Sequence, residues 1–337
     1  MSVDDAAWAA AVDALRAADD VALACHLGPD GDALGSLMAL TLALRSLGKR
    51  TVASWGSEPF AVPAMYAFLP GLDLLSEPAE FPVEPPLMVT FDTGSLERLG
   101  SLAGHARHAG TLLVVDHHES NTRYGDLNLV DPTAAATAVL VAELVDRLGV
   151  PLSADIAACL YTGLSTDTGS FRFAAATPDV HHLAARLLGT GIRHDEIARA
   201  IWDTNRFAYL KLLGTLLERA ELVAGDRDVP GDSGVVWTWV SRDDLAAADV
   251  LIEEIEGAID VIRTSAEADV AVICKQAPDG RWLVSMRSKG AVDVGRIAVA
   301  LGGGGHRYAA GYTSPDEPAA VVAQVRAELT ATRTAGS

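Results

Sequence analysis

Cysteine is scarce. Three in 337 residues, Cys25, Cys159 and Cys274, lie far apart, each in an apolar run. That excludes a disulfide framework or a zinc knuckle and leaves buried thiols. Positive charge is also short: 26 Lys and Arg against 45 Asp and Glu give a formal net charge of −19. Affinity for long nucleic acid rests on neutralising many phosphates with cations, so a polyanionic substrate would have to be short. The surplus acid serves as a solubilising surface. Long apolar runs are missing too, the richest, Leu34 to Leu44, ending at Arg45 below membrane-spanning length. The N-terminus, Met1-Ser2-Val3-Asp4-Asp5, is acidic and runs into an amphipathic helical pattern through Ala18, without a signal peptide's basic and apolar regions. A cytoplasmic protein with no membrane partner is expected.

What is present is 50% hydrophobic residues in a chain long enough for two filled cores. From Val21 to Val130 apolar strands at Val21 to His26, Thr51 to Ser54, Leu87 to Phe91 and Thr111 to Val115 alternate with helical stretches, chiefly Ala33 to Leu47. Near-continuous apolar strands of this kind indicate a parallel sheet covered on both faces. Helical patterns then follow over Ala134 to Leu148, Ala154 to Leu164, Pro178 to Gly189, Asp195 to Trp202 and Arg206 to Leu217. Strands at Val235 to Val240, Val270 to Gln276 and Trp282 to Met286 mix with helices near Leu251 to Ile259, Val294 to Leu301 and Ala319 to Arg333. The expected class is α/β, a parallel-sheet domain over 1–200, a helical linker over 201–218 and a smaller α/β domain over 219–337.

Chemistry-bearing residues gather at strand ends. The first strand runs into His26-Leu27-Gly28-Pro29-Asp30-Gly31-Asp32, where Pro29 and Gly31 permit a tight turn. Three metal-type ligands converge there, although both Asp also suit a turn and a helix cap. Asp92 directly follows Leu87 to Phe91, and Asp116-His117-His118 directly follows Thr111 to Val115. One such Asp is ordinarily a cap; three strands ending in ligands at one sheet edge are harder to excuse. Asp167 follows an apolar helical run within Gly163-Leu164-Ser165-Thr166-Asp167-Thr168-Gly169, a small-residue segment that lets backbones approach. Clustered carboxylates need cations, since two unit charges about 4 Å apart repel by roughly 4 kcal/mol at an effective dielectric of 20. His26, Asp30, Asp32, Asp92, His117 and Asp167 thus make a ligand set for two divalent ions. Mixed nitrogen and oxygen donors suit Mn²⁺ better than Mg²⁺. A two-metal site can activate water and hold both the attacking and the leaving oxygen of a phosphoryl transfer.

Asp116-His117-His118 together with His26-x-x-Pro29-Asp30-x-Asp32, Asp92 and Asp167 resembles the DHH phosphoesterase superfamily, and the C-terminal half resembles its DHHA1 domain. The similarity spans nearly the whole chain and is greatest to the stand-alone nano-RNase/pAp-phosphatase branch, some of whose members act on cyclic dinucleotides or their linear products. It implies that His26, Asp30 and Asp92 hold one metal, that Asp32, Asp92, His117 and Asp167 hold the other, and that Asp92 bridges. It places His118 to contact the scissile phosphate or protonate the leaving oxygen, and Asp116 to support the loop or a ligand. A homodimer through the first domain is also implied.

In the second half, Gly302 to His306 is a glycine run that permits close approach of amides to an anion, as in a phosphate nest, and is equally a composition used for flexible linkers. It lacks the G-x-G-x-x-G spacing of a dinucleotide fold. The resemblance assigns Arg287, Ser288 and Lys289, with Gly303, Gly304, Gly305 and His306, to gripping a nucleotide end. Arg287 would pair with phosphate two-pronged, and His306 would bond phosphate or stack on a base. Arg98 suits either a phosphate clamp or a surface helix charge. His105, His108, His181, His182 and His194 have no strand-end partners and read as surface or structural. The expected activity is hydrolysis of short oligoribonucleotides and dinucleotides to mononucleotides and removal of the 3′-phosphate of 3′-phosphoadenosine 5′-phosphate, with cyclic di-AMP or its linear product as a further substrate. A family II inorganic pyrophosphatase shares the first-domain pattern but not the Gly302 to His306 motif. A catalytically silent nucleotide sensor would not need the full ligand set.

Overall fold

The computed structural model describes residues 3–225 and 234–334. The chain divides into two compact units, Met1–Thr204 and Asn205–Ser337. The first unit begins with α1 (Asp5–Ala17), β1 (Asp20–Cys25), α2 (Gly31–Ser46), β2 (Arg50–Trp55) and β3 (Met88–Phe91). It continues with α3 (Ala103–Arg107), β4 (Leu112–Asp116) and β5 (Leu127–Val130), and ends in α4 (Thr137–Leu148), α5 (Ala154–Asp167), α6 (Pro178–Leu188) and α7 (His194–Trp202). Its five strands are all parallel, in the order β2-β1-β3-β4-β5.

That order fixes where a site can form. The chain leaves β1 toward β2 on one side and returns to β3 on the other, so the crevice beyond the carboxyl ends of β1 and β3 is the topological switch point at which such sheets take ligands. Both strands are buried on both faces. Leu23, Cys25, Val89, Phe91, Leu113 and Val115 join the core with α1, α2, α4 and α5, while Ala22, Ala24, Met88, Leu112 and Val114 pack on Leu99, Leu102, Ala103 and Ala106. The alternation is the period-2 pleat of a strand. Helix α2 lies against the sheet and against α5, where two glycines allow close approach: a Cβ on Gly35 would meet the Cys159 carbonyl oxygen at 2.4 Å, and one on Gly163 would meet Asp32 Oδ1 at 2.6 Å.

The second unit comprises α8 (Phe207–Glu218), β6 (Glu221–Val223), β7 (Gly234–Val240), α9 (Arg242–Ala248), α10 (Ala258–Ile262), β8 (Ala268–Gln276), β9 (Trp282–Ser288), α11 (Val294–Ala300), β10 (Gly304–Gly305), β11 (Ala309–Ser314) and α12 (Pro318–Thr334). Its sheet runs β10-β11-β9-β8-β7-β6, antiparallel except for the parallel β7–β8 pair. Helix α8, expected as a linker, buries Tyr209, Leu212 and Leu216 in this unit's core beside Val236, Ile255 and Ile259.

The sequence reading misses several short elements. The helix expected over Leu251 to Ile259 is a 3-10 turn, Ile252–Ile255, followed by α10, with Gly257 at the break. Helix α9 is unread, although its Ser241 and Asp244 form a reciprocal capping box. Strands β5, β6, β10 and β11 are unread too, being short or rich in Gly and Ala. Among the described residues no helix is long and apolar enough to cross a membrane.

Candidate metal centre

Three strand ends and one helix end deliver the site. His26 is the first residue after β1, and its ring Nδ1–H donates to the Leu27 carbonyl at 2.8 Å. Nε2 therefore turns the other way, 3.4 Å from Asp92 Oδ2 and 3.8 Å from Asp30 Oδ1. His117, just past β4, repeats the device: Nδ1–H donates to the Ala134 carbonyl at 3.2 Å. Its Nε2 faces Asp167 Oδ2 at 3.1 Å, Asp92 Oδ1 at 3.5 Å and Asp32 Oδ2 at 3.9 Å. Asp92 thus offers one oxygen to each histidine. It does so with φ 54°, a left-handed backbone rare for a residue with a side chain. The structure brings together all six residues expected as ligands.

The two readings of the first loop coexist. Asp30 is the N-cap of α2, its Oδ1 accepting from the Asp32 and Ala33 amides at 3.1 and 3.0 Å, and the same oxygen faces His26. Asp32 is fully buried and caps a different helix: Oδ2 accepts from the Thr137 amide at 2.6 Å and Oδ1 from the Ala138 amide at 2.9 Å, both at the start of α4. The Thr137 hydroxyl meanwhile donates to Asp92 Oδ1 at 3.1 Å. One helix N-terminus therefore orients two of the carboxylates, its partial positive charge opposing the burial and the Asp167 and Asp92 charges that lift Asp32 well above the usual carboxylate range. Thr137 is a residue that sequence reasoning misses, because its partners lie 45 and 105 positions away.

Asp116 is buried, and its carboxylate lies in one compact group with Asp92 and His118. Its Oδ1 accepts from the His118 ring Nδ1 at 2.7 Å and from the His117 amide at 2.8 Å; Oδ2 accepts from Asn121 at 2.5 Å. Asn121 also donates to the Thr93 carbonyl at 3.1 Å. The bond from Nδ1 to Asp116 orients the His118 ring. Arg98 is exposed, and its guanidinium lies 3.4 Å from His26 Nδ1.

Electrostatics separate the groups. Burial lowers the basicity of His26, but the Asp30 and Asp92 carboxylates overcome it and lift the imidazole to about 10. His117 moves up for the same reason, against burial, through Asp167, Asp92 and Asp32. Asp92 is held well below the usual carboxylate range by the three surrounding histidines, despite its burial. Burial lifts Asp167 to about 6, opposed by His117 and reinforced by Asp30 and Asp92. A centre whose imidazoles hold protons so firmly between carboxylates is one that cations can occupy in the protons' place.

The donor set fits divalent ions. Ligand atoms about 2.1 Å from an octahedral ion lie roughly 3.0 Å apart at adjacent positions, and the nitrogen–oxygen separations here run from 3.1 to 3.9 Å. The His26 and His117 imidazoles each have Nδ1 fixed by a carbonyl, the arrangement that sets a metal-binding tautomer. His26, Asp30 and Asp92 form one compact group and Asp32, Asp92 and His117 another.

On the second unit, Arg287 sits near the end of β9 paired with Ala309, and the Ser288 amide donates to the Tyr308 carbonyl, so Arg287 and the Gly302 to His306 run share one sheet edge. The run is an ordered hairpin: Gly304 and Gly305 form β10, while the Gly302, Gly303 and His306 amides donate to the Val299, Ala298 and Ala309 carbonyls. A Cβ on Gly303 would meet the Gly311 carbonyl oxygen at 2.2 Å. Ser288 is buried, and its hydroxyl bonds Asp269 and the Gly290 amide. Among the histidines read as structural, His105 bonds the Pro82 carbonyl, and His181 stacks on Phe171.

The profile of the DHH family, N-terminal domain, matches residues 20–164, and that of the DHHA1 domain matches residues 246–332. The bifunctional oligoribonuclease and PAP phosphatase NrnA of Thermus thermophilus is 37% identical over 298 residues, covering 86% of this chain and 83% of the relative. The protein of the same name from Bacillus subtilis is 25% identical over 297 residues, covering 87% and 88%. Among solved structures, an exopolyphosphatase-related protein from Bacteroides fragilis has the same fold, with a TM-score of 0.85 at 23% identity over 97% of this chain and 96% of that one. Six carboxylates and imidazoles gathered at strand ends and helix ends of a 2-1-3-4-5 sheet, both domain profiles and a 37% identical relative lead to one conclusion: the chain belongs to the DHH/DHHA1 phosphoesterases.

Proposed function

We propose that this protein hydrolyses short oligoribonucleotides and dinucleotides to mononucleotides and removes the 3′-phosphate from 3′-phosphoadenosine 5′-phosphate, using two divalent ions, Mn²⁺ by donor preference. The observation that carries this is Asp92, set between two imidazoles whose Nε2 atoms both face it. The names of the Thermus thermophilus and Bacillus subtilis relatives support the substrate class. His26, Asp30 and Asp92 would hold one ion, and Asp32, Asp92, His117 and Asp167 the other. Bound there, the ions supply Lewis acidity toward the phosphoryl oxygens and neutralise the carboxylates. Mixed nitrogen and oxygen donors favour Mn²⁺ over Mg²⁺.

The chain's own groups do the rest. His118 Nε2 delivers a proton to the leaving oxygen, with Asp116 fixing the ring through Nδ1. Against burial, the hydrogen bond and charge of Asp116, with the charge of Asp92, raise His118 from the usual imidazole range, which favours the protonated ring that donation requires. Arg98, in the 3-10 helix Leu96–Leu102 that follows the Asp92 loop, clamps a phosphate oxygen. On the second unit, Arg287 and His306 take the nucleotide end. The protein works in the cytoplasm, as a homodimer formed through the first domain. The DHHA1 match speaks against a pyrophosphatase, and a silent sensor would have no use for the full donor set. The test is turnover of dinucleotides, 3′-phosphoadenosine 5′-phosphate, linear and cyclic di-AMP and pyrophosphate with Mn²⁺ and with EDTA. Metal-dependent cleavage of the first two supports the reading, and pyrophosphate as the sole substrate, or no turnover, refutes it.

His118→Asn should keep both metals and lower kcat by about 10²- to 10⁴-fold, the usual scale for a lost general acid. Metal analysis and kinetics of His118→Asn beside His117→Asn decide it: if the former loses metal and the latter keeps it, the two roles are exchanged. Metal binding should also release protons, because ions require neutral His26 and His117, and both hold their protons above neutrality. Apparent affinity should therefore climb as pH rises through the neutral range toward about 10. Calorimetry in buffers of different ionisation enthalpy reads this directly, and a binding heat independent of the buffer would contradict it.

A further inference from the structure

Asp269 belongs to no motif of the chain, yet the segment that carries Arg287 into α11 is built around it. On the β7–β8 pair, Gly234 is opposite Ala268 and Val235 opposite Val270, so Asp269 is the extra residue of a bulge. Bulges re-aim a side chain, and here the carboxylate meets the turn that follows β9. Asp269 Oδ2 accepts from the Ser288 hydroxyl at 3.1 Å and from the Val292 amide at 3.1 Å. Its main-chain carbonyl accepts from the Lys289 amide at 2.9 Å. The Ser288 hydroxyl in turn accepts from the Gly290 amide at 3.0 Å. One residue thus gathers both ends of the 288–292 turn.

We infer that Asp269 is a positioning residue for nucleotide binding: it fixes the turn that follows Arg287, and so the direction in which the guanidinium is offered to a phosphate. This rests on the reading of Arg287 and His306 as the nucleotide grip. The chemistry makes a sharp distinction. Both side-chain bonds end on the same oxygen, and both donors are neutral, so the site needs an acceptor and not a charge. An amide oxygen serves as well as a carboxylate one, whereas a methyl group leaves the Val292 amide and the Ser288 hydroxyl without that partner. A loosened turn disorders the approach to substrate and leaves the metal-centre chemistry untouched.

The test compares Asp269→Ala, Asp269→Asn, Ser288→Ala and Arg287→Ala with the wild type, using a dinucleotide and a small chromogenic phosphodiester, with melting temperatures alongside. Asp269→Ala is expected to raise KM for the dinucleotide about tenfold, as a misplaced binding group does, with kcat within twofold and the small ester cleaved as before. Asp269→Asn should restore KM to within threefold of wild type. Ser288→Ala should move KM in the same direction as Asp269→Ala, which keeps the inference testable if the latter folds poorly. If Arg287→Ala raises KM but Asp269→Ala and Ser288→Ala do not, the positioning role is wrong and the grip stands. Equal damage from Asp269→Asn and Asp269→Ala would mean that charge matters, and would overturn the inference. An Arg287→Ala protein with unchanged KM would remove the grip itself, and the inference with it.

Discussion

Asp92→Ala should cost both metal positions and lower kcat/KM for every substrate by at least about 10³-fold, or roughly 4 kcal/mol of transition-state stabilisation. His26→Ala should weaken mainly one position. The difference follows from where the oxygens point: Oδ2 toward His26, Oδ1 toward His117 and the Thr137 hydroxyl. Among His26, Asp30, Asp32, Asp92 and His117, Asp92 alone belongs to both compact groups. Removing it also leaves three histidines without the carboxylate that lies within 3.5 Å of each. Metal content of the purified variants, with turnover in Mn²⁺, measures this. An Asp92→Ala protein that retains two ions and wild-type turnover would refute the bridging assignment.

The clustering of these carboxylates and imidazoles was legible because a parallel sheet places every strand's carboxyl end at one edge. Asp92, Asp116, His117 and His118 each sit at, or just past, the end of an apolar run, so the strand boundary alone locates them. Asp167 required more. It closes α5, and its placement beside His117 depends on α5 approaching α2 through Gly35 and Gly163, a contact whose only sequence trace is a stretch of small residues. Thr137 and Asn121 left no trace. Each works by hydrogen-bonding a carboxylate far along the chain or across a loop, and such pairings follow from tertiary packing rather than local pattern.

The same distinction explains the fold. Strands β1 and β3, buried on both faces, read as unbroken apolar runs, and amphipathic α6 and α7 read by periodicity. Strand β11 is Ala-Ala-Gly-Tyr-Thr-Ser, mostly small residues of weak β preference, and the neighbouring glycine run approaches it closely, since a Cβ on Gly303 would meet the Gly311 carbonyl oxygen. Its β character is set by the neighbour and not by propensity. Asp269 escaped notice in the same way: a strand starting at Val270 makes the preceding Asp an ordinary polar flank, and only the bulge against Gly234 turns it toward Ser288.

Substrate length should follow from the division of labour between the units. The carboxylate–imidazole centre lies on the first, and Arg287 and His306, proposed to take the nucleotide end, lie on the second; a dinucleotide, with one scissile phosphate and one terminal nucleotide, is the shortest substrate that offers a group to each. Further nucleotides meet a chain with 45 acidic residues against 26 Lys and Arg. They should gain little and suffer repulsion that salt partly screens. We therefore expect kcat/KM to fall from two nucleotides to longer RNA, with the decline shallower at high salt. Arg287→Ala or His306→Ala should lower kcat/KM on a dinucleotide by about 10- to 100-fold, the scale of one lost charge-assisted contact. The same variants should act nearly normally on a small chromogenic phosphodiester that has no terminal nucleotide to hold. A length series from two to twenty nucleotides, run on the wild type and both variants, decides the matter. A kcat/KM that rises steadily to twenty nucleotides, or equal loss on the small ester, would show that recognition is not divided in this way.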